Sequence, residues 1–318
     1  MQITTLIPAY KTKYMAELLT GLRTQSRLCD RIIVSDDSPN GEFGELLASP
    51  AMARLRGRLP IELVRGPRAG AYENFKHLIR LWGGSTELGH LLLDDDILYP
   101  DFFDRHLEAH ARGRFGASIS ARWNANEQGQ PIEGMPIPPG VWRAEQRMLA
   151  LDASAMFAST VPLCQNWFGE FSNCLFRREH AELLFTHEFA GVSYAGLWDL
   201  GFFLDVSLRE PVAYLQERLG AFRTGGEGHS AQFFGKHMKA AHLGYAALAR
   251  GAHKLGRLDE AAARQCYQGI ALALQQRYAE QPDMVPFAGL LARLAGGDAE
   301  AGPLFEAAWG DFLRLHQF

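Results

Sequence analysis

Leu91-Leu92-Leu93-Asp94-Asp95-Asp96 is the stretch on which the reading of this chain turns. Three leucines read as a buried strand, and they run directly into three carboxylates. Like charges packed this closely raise each other's pKa unless a cation neutralises them. Carboxylates at this spacing suit Mg²⁺ or Mn²⁺, hard ions that take oxygen ligands and share them with substrate phosphates. The plainer reading makes the aspartates caps of a helix that would begin near Pro100. Three in a row behind an apolar strand favour the metal.

The residues upstream repeat the same strand-then-polar pattern. Residues 3–7 are β-rich and are stopped by Pro8; Ala9 and Tyr10 follow. Met15, Leu18, Leu19 and Leu22 recur at helical spacing over 15–24. Residues 31–35 form a second strand, closed by the turn-rich run Asp36-Asp37-Ser38-Pro39-Asn40-Gly41. A helix over 43–55, a strand over 61–64 and a helix over 72–82 come next, the last with Phe75, Leu78, Ile79 and Trp82 on one face. Strand-helix alternation of this kind predicts an α/β fold with a mostly parallel sheet covered by helices. Ligands of such sheets collect at the carboxyl ends of the strands. Pro8-Ala9-Tyr10, Asp36-Asp37 and Asp94–Asp96 all fall at those ends, which is the main evidence for one composite site. On local sequence alone, Asp36-Asp37 reads better as an Asx-turn.

Beyond about residue 115 the pattern loosens. Residues 129–140 are rich in Pro and Gly and read as a loop able to close over a site. A strand is expected over 171–177, a helix over 196–208 and a strand over 212–219. After Gly228 the chain is Ala- and Leu-rich and reads as helices. Leu255-Gly256-Arg257-Leu258-Asp259-Glu260-Ala261 fits the turn of a helical hairpin, but a single copy does not make a repeat array. Trp309, Phe312 and Leu313 are expected to pack on their own chain rather than form a docking face.

Composition narrows the class. The 318 residues are 47% hydrophobic and 21% charged, with net charge −4. That excludes a disordered chain and a broad basic field for nucleic acid. Arg54, Arg56 and Arg58 read as a solvated helix face. Cys29, Cys164, Cys174 and Cys266 match no zinc or redox spacing. No run reaches the ~18 apolar residues of a membrane span. A cytoplasmic protein is expected, with peripheral association at the inner face of the membrane left open.

The order and spacing of Thr5-Leu6-Ile7-Pro8-Ala9-Tyr10, Ile32-Ile33-Val34-Ser35-Asp36-Asp37-Ser38 and Leu91–Asp96 resemble the family-two inverting glycosyltransferases of the GT-A fold. The resemblance covers roughly residues 1–230. It implies a Rossmann-like GT-A domain over 1–231, with 1–115 as the nucleotide-sugar half and 116–231 as the acceptor half, and a helical C-terminal region over 232–318. It implies that Pro8, Ala9 and Tyr10 line the nucleotide pocket and that Asp36, ahead of Asp37, contacts the base. Asp96 would be the main ligand of Mn²⁺ or Mg²⁺, with Asp94 nearer the ribose and Asp95 between them. Gly70-Ala71-Tyr72-Glu73-Asn74-Phe75 resembles a donor-binding segment, so Asn74 and Arg68 join the candidates. The catalytic base is expected as an Asp at a helix start, often after Glu. Here it is Asp199, with Trp198 where the Glu is expected. Asp199 as a helix cap is the competing reading, and Asp205 and Glu188 are the alternative bases. Arg223 and His229 would meet the diphosphate or the metal.

The implied partners are a nucleotide sugar, UDP-linked by family frequency, and a glycan, lipid-linked or protein acceptor in bacterial surface glycan assembly. Two other readings compete. A sugar nucleotidyltransferase also holds Mg²⁺ on strand-end aspartates, but Tyr10-Lys11-Thr12-Lys13 lacks the glycine-rich loop it needs. A degenerate transferase serving as a binding scaffold is the nonenzymatic alternative.

Overall fold

The structure is a computed structural model that describes residues 1–224 and 232–318. The first unit is an unbroken βα alternation: β1 (Ile3–Ala9), α1 (Met15–Arg23), β2 (Arg31–Asp36), α2 (Glu42–Ala48), α3 (Pro50–Arg56), β3 (Ile61–Arg65), α4 (Ala71–Trp82) and β4 (Leu88–Leu91). All seven residues of β1 are buried. That is the pattern of a strand covered on both faces, and it explains why the run reads apolar rather than alternating. α1 buries Met15, Leu18, Leu19 and Leu22, and α4 buries Asn74, Phe75, Leu78, Ile79 and Trp82, the faces their spacing predicts.

The rest follows as β5 (Ile97–Leu98), α5 (Phe102–Arg112), β6 (Ala117–Ala125), β7 (Pro131–Gly134), β8 (Met148–Leu151), α6 (Ala153–Thr160), β9 (Cys174–Arg177), β10 (Glu188–Phe189), β11 (Val192–Ser193), α7 (Trp198–Ser207) and β12 (Val212–Arg223). Among the described residues, one sheet runs β3-β2-β1-β4-β9-β6-β12-β5, with β7 on β6 and β8 on β12. The β3-β2-β1-β4 half is parallel. β9 enters antiparallel between β4 and β6, and β12 lies parallel to β6. Register shifts in β12 let its first residues pair β8 and Gly220-Ala221 pair β5. The expected α/β sheet is therefore present, parallel where the nucleotide half was read.

Several boundaries differ from expectation. The helix expected over 43–55 is two helices. Pro50 lacks an N–H and cannot continue α2, so it opens α3 instead, after Ser49 in an extended conformation. The strand expected over 91–93 ends at Leu91: Leu92 still donates to the Leu6 carbonyl, but Leu93 N–H turns to the Ser172 hydroxyl. The strand expected from 171 begins at Cys174, after a 3₁₀ turn over Phe171–Asn173. The last strand runs four residues past the expected 219, to Arg223. β7 occupies part of the loop expected over 129–140.

Four helices close the chain: α8 (Lys236–Lys254), α9 (Glu260–Arg277), α10 (Val285–Ala295) and α11 (Ala301–His316). Leu255–Asp259 does form the expected hairpin turn, with Asp259 capping α9 through the Ala262 N–H. Trp309 and Phe312 are buried within the chain, and the Trp309 indole donates to the Ser193 carbonyl at 2.7 Å. One apolar core is continuous from Leu6 and Leu91 to Phe305 and Trp309. Among the described residues, no helix is long and apolar enough to cross a membrane.

Candidate functional site

The carboxyl ends of β1, β2 and β4 bring the three polar clusters together, as the parallel order β2-β1-β4 requires. Asp94 is almost fully buried, and its Oδ2 accepts the N–H groups of Tyr10 and Lys11, both at 2.6 Å. It bolts the turn after β1 to the end of β4. Burial pushes its carboxyl up to about 6 in spite of these two donors. Asp95 pairs with the Lys11 ammonium. Burial works against that ammonium, but the charges of all three aspartates outweigh it and hold its pKa up.

Asp96 is buried differently. Its Oδ1 accepts the Arg223 N–H at 3.2 Å, whereas its buried Oδ2 accepts nothing among the described residues. Burial, then the neighbouring Asp95 charge, pushes the carboxyl up to about 8. A buried carboxylate oxygen without a donor calls for a partner. A cation meets that demand, so the residues present fit Mn²⁺ or Mg²⁺. Among the described residues no three His, Cys, Asp or Glu side chains converge as a metal cage. Such a sparse donor set suits an ion that keeps water and phosphate oxygens as its other ligands. Asp94–Asp96 are not caps of α5: its N-cap is Asp101.

At the end of β2, the two aspartates divide their work. Asp36 spends both oxygens on its own turn, accepting the Ser38 N–H and hydroxyl at Oδ1 and the Gly44 N–H at Oδ2. That is Asx-turn chemistry at the start of α2. Asp37 accepts only the Arg68 N–H, at 2.5 Å, and leaves Oδ2 without a partner among the described residues. Gly66 is required here, because a Cβ would lie 2.5 Å from the Asp37 carboxylate. Arg68 itself is exposed in a left-handed conformation. Asn74 is buried, its amide accepting from the Ser35 hydroxyl at 2.5 Å and donating to the Ser35 carbonyl at 3.3 Å, so it fastens α4 to β2. Pro8 and Ala9 are buried within β1; Tyr10 is exposed.

Arg223 ends β12 beneath the acidic loop. Its Nε donates to the Asp95 carbonyl and its Nη1 to the Glu127 carbonyl, while Nη2 pairs with Glu17. Its guanidinium lies 4.2 Å over the Tyr14 ring. Each nitrogen is thus engaged in shaping the loop rather than reaching outward. His229 lies outside the described residues.

Asp199 sits in the first turn of α7, not at the N-cap, which is Leu197. Its Oδ2 accepts the Asn166 amide at 2.9 Å and its Oδ1 the Leu200 N–H at 2.7 Å. Burial, then the adjacent Glu170 carboxyl, holds its pKa well above the usual carboxylate range. Asp205, farther along α7, lies beside Arg209, and Glu188 is exposed on β10; neither lines the cavities described next.

Glu170 links the two halves of the site and was not found in the sequence. It lines a narrow cleft with Asp96, Arg122 and Ser172. It also lines an open cavity of about 180 Å³ with Asp199, Trp198 and Leu93. Arg122 donates to it at 2.9 Å through Nη2 and keeps Nε and Nη1 buried without acceptors among the described residues. The available signal was Arg122, a lone charge inside the otherwise small and apolar run of β6. Trp198 packs into an aromatic group, 4.0 Å from Tyr72 and 6.4 Å edge-on from Phe75.

This arrangement, a parallel half-sheet with acidic strand ends near a second carboxyl pair, defines a GT-A-like α/β fold, and solved structures share it. S. aureus TarS residues 1–349 in complex with UDP-GlcNAc superposes with a TM-score of 0.53 at 12% identity, over 98% of this chain and 92% of that one. The mannosyltransferase PcManGT from Pyrobaculum calidifontis, in complex with GDP-Man and Mn²⁺, gives a TM-score of 0.53 at 18% identity, over 99% and 80%. A further S. aureus TarS structure gives 0.58 at 12% identity, over 97% and 55%. No protein-family model and no curated protein sequence matches this chain.

Proposed function

We propose that this chain is a metal-dependent inverting glycosyltransferase that takes a sugar from a nucleoside diphosphate donor to an acceptor hydroxyl. The observation that carries the proposal is the pairing of a donor-less buried Asp96 Oδ2 with a second carboxyl pair, Asp199 and Glu170, across shared cavities. Proteins that share its fold are solved in complex with UDP-GlcNAc and with GDP-Man and Mn²⁺, which supports a nucleotide sugar as the partner.

In this reading the nucleoside lies across the ends of β1 and β2. Asp37, with its free oxygen, takes the base or ribose, and the Tyr10-Lys11 turn is presented to the donor by Asp94. Asp96 holds Mn²⁺ or Mg²⁺, which neutralises charge on the departing diphosphate when bound. Arg122, with two unspent donors, is the protein's own cation at that cleft. Asp199 takes the proton from the acceptor hydroxyl as its oxygen bonds to the anomeric carbon and the bond to the phosphate oxygen breaks, inverting the configuration. Burial and Glu170 strengthen Asp199 as a base by disfavouring its charged form. Glu170 is the second candidate for that proton.

A donor screen tests the class of reaction. The protein is incubated with UDP-, GDP-, dTDP- and CMP-sugars and Mn²⁺, and nucleotide release is followed. Slow release of a nucleoside diphosphate is expected for the UDP, GDP or dTDP donors. Pyrophosphate release from a nucleoside triphosphate and a sugar phosphate, with no donor hydrolysis, would replace glycosyl transfer by nucleotidyl transfer.

A further inference from the structure

The 180 Å³ cavity joins the two α/β carboxyls to the C-terminal helices. Phe75, Trp198, Glu170 and Asp199 line it together with His237 of α8 and Phe318. Phe318 is placed with care. α11 ends in a Schellman-type turn, in which Phe318 N–H bonds the Leu313 carbonyl at 3.1 Å and Gln317 N–H the Arg314 carbonyl at 3.3 Å. Gln317 adopts φ 56°, in the left-handed region that disfavours a non-glycine residue. Phe318 is then held edge-on by the His237 ring at 5.3 Å and by the Lys236 ammonium, 5.3 Å from the ring centre. Lys236 also donates to the His316 carbonyl at 2.8 Å, tying α8 to the end of α11.

The walls specify a chemistry. Aromatic rings bind the C–H faces of a ring, and two carboxyls accept hydrogen bonds from its hydroxyls. The Trp198 indole N–H is buried and has no acceptor among the described residues. We infer that the C-terminal helices, through Phe318 and His237, complete the face of this cavity that meets a pyranose or similar polyhydroxylated ring. The inference rests on the glycosyltransferase reading for the ring's chemical role, and the ring arrives either as the donor's sugar or as the acceptor.

Two arms distinguish those sources on the full chain. Saturation-transfer NMR uses methyl β-D-glucopyranoside and methyl β-N-acetylglucosaminide, with and without UDP and Mn²⁺. Calorimetry compares UDP with UDP-glucose and UDP-GlcNAc, and GDP with GDP-mannose. An acceptor role gives ring-proton transfer that falls at least ~3-fold in Phe318→Ala and His237→Ala. A donor role gives a nucleotide-sugar advantage over the bare nucleotide that falls at least ~5-fold in the same variants. Either result supports the inference and assigns the ring. Variants that keep the wild-type melting curve and change neither arm would overturn it. Absence of nucleotide binding in the wild type would count against the glycosyltransferase reading alone, because the glycoside arm still decides the cavity.

Discussion

His90 lies on β4, four residues before Asp94, with no exposed surface. Its Nε2 is 3.0 Å from the Ser172 carbonyl, which only accepts, so Nε2 carries the proton. Its Nδ1 is 3.5 Å from the Thr5 hydroxyl, and its ring packs 4.8 Å from Phe102. This is a site for a neutral imidazole, and burial pushes its pKa down to about 4. In the unfolded chain the value is about 6.5. Between those values the unfolded state binds more protons than the folded state, so the stability present above pH 6.5 is lost as pH falls toward 4. The difference corresponds to on the order of 3 kcal/mol over the whole window and roughly 2 kcal/mol by pH 5. His90→Gln keeps a donor for the Ser172 carbonyl and removes the titration. Urea unfolding of wild type and variant from pH 8 to 5, in EDTA, isolates the residue. Asp94 and Asp199, held up by burial, act in the opposite sense but are common to both proteins. The variant's stability deficit should be constant above pH 7 and shrink by about 2 kcal/mol by pH 5. A deficit independent of pH would refute the buried neutral imidazole.

Three further outcomes follow from the site. Asp199→Asn should leave nucleotide binding intact and cut turnover by at least ~10²; near-normal turnover would move the base to Glu170. Asp94→Ala removes the acceptor of two 2.6 Å bonds and should cost roughly 2 kcal/mol with faster hydrogen exchange at the Tyr10 and Lys11 amides, whereas Asp94→Asn should retain most of that protection; equal exchange in the alanine variant would discount the latch. Gly66→Ala drives a methyl against the Asp37 carboxylate and should weaken nucleoside diphosphate binding ~10-fold with little change in melting temperature; unchanged affinity would remove Asp37 from the nucleotide pocket.

Much of the fold could be read because its signals are local. Apolar runs ending in turn residues marked β1, β2 and β4, and their parallel order followed from the alternation. Pro50 splits a helix that periodicity alone joins. Side-chain commitments were harder, because they are made across the sheet. Nothing local says that Asp36 serves its own turn while Asp37 keeps a free oxygen, or that Asn74 and Arg223 are consumed by Ser35 and by the acidic loop. Glu170 was hidden for the same reason. It meets Asp199 and Asp96 only when the turn before β9 folds between β4 and β6. Trp198 stands where a Glu is expected, and Glu170 lies beside Asp199 from a distant segment.

If Asp96 holds a divalent cation against a nucleoside diphosphate, nucleotide binding depends on both. Calorimetric titration of UDP and of GDP into the wild type and Asp96→Ala, each with Mn²⁺ and with EDTA, decides this. Mn²⁺-dependent binding of at least one nucleotide to the wild type is expected, with its loss in EDTA and in Asp96→Ala. Equal binding in all four conditions would remove the cation from Asp96.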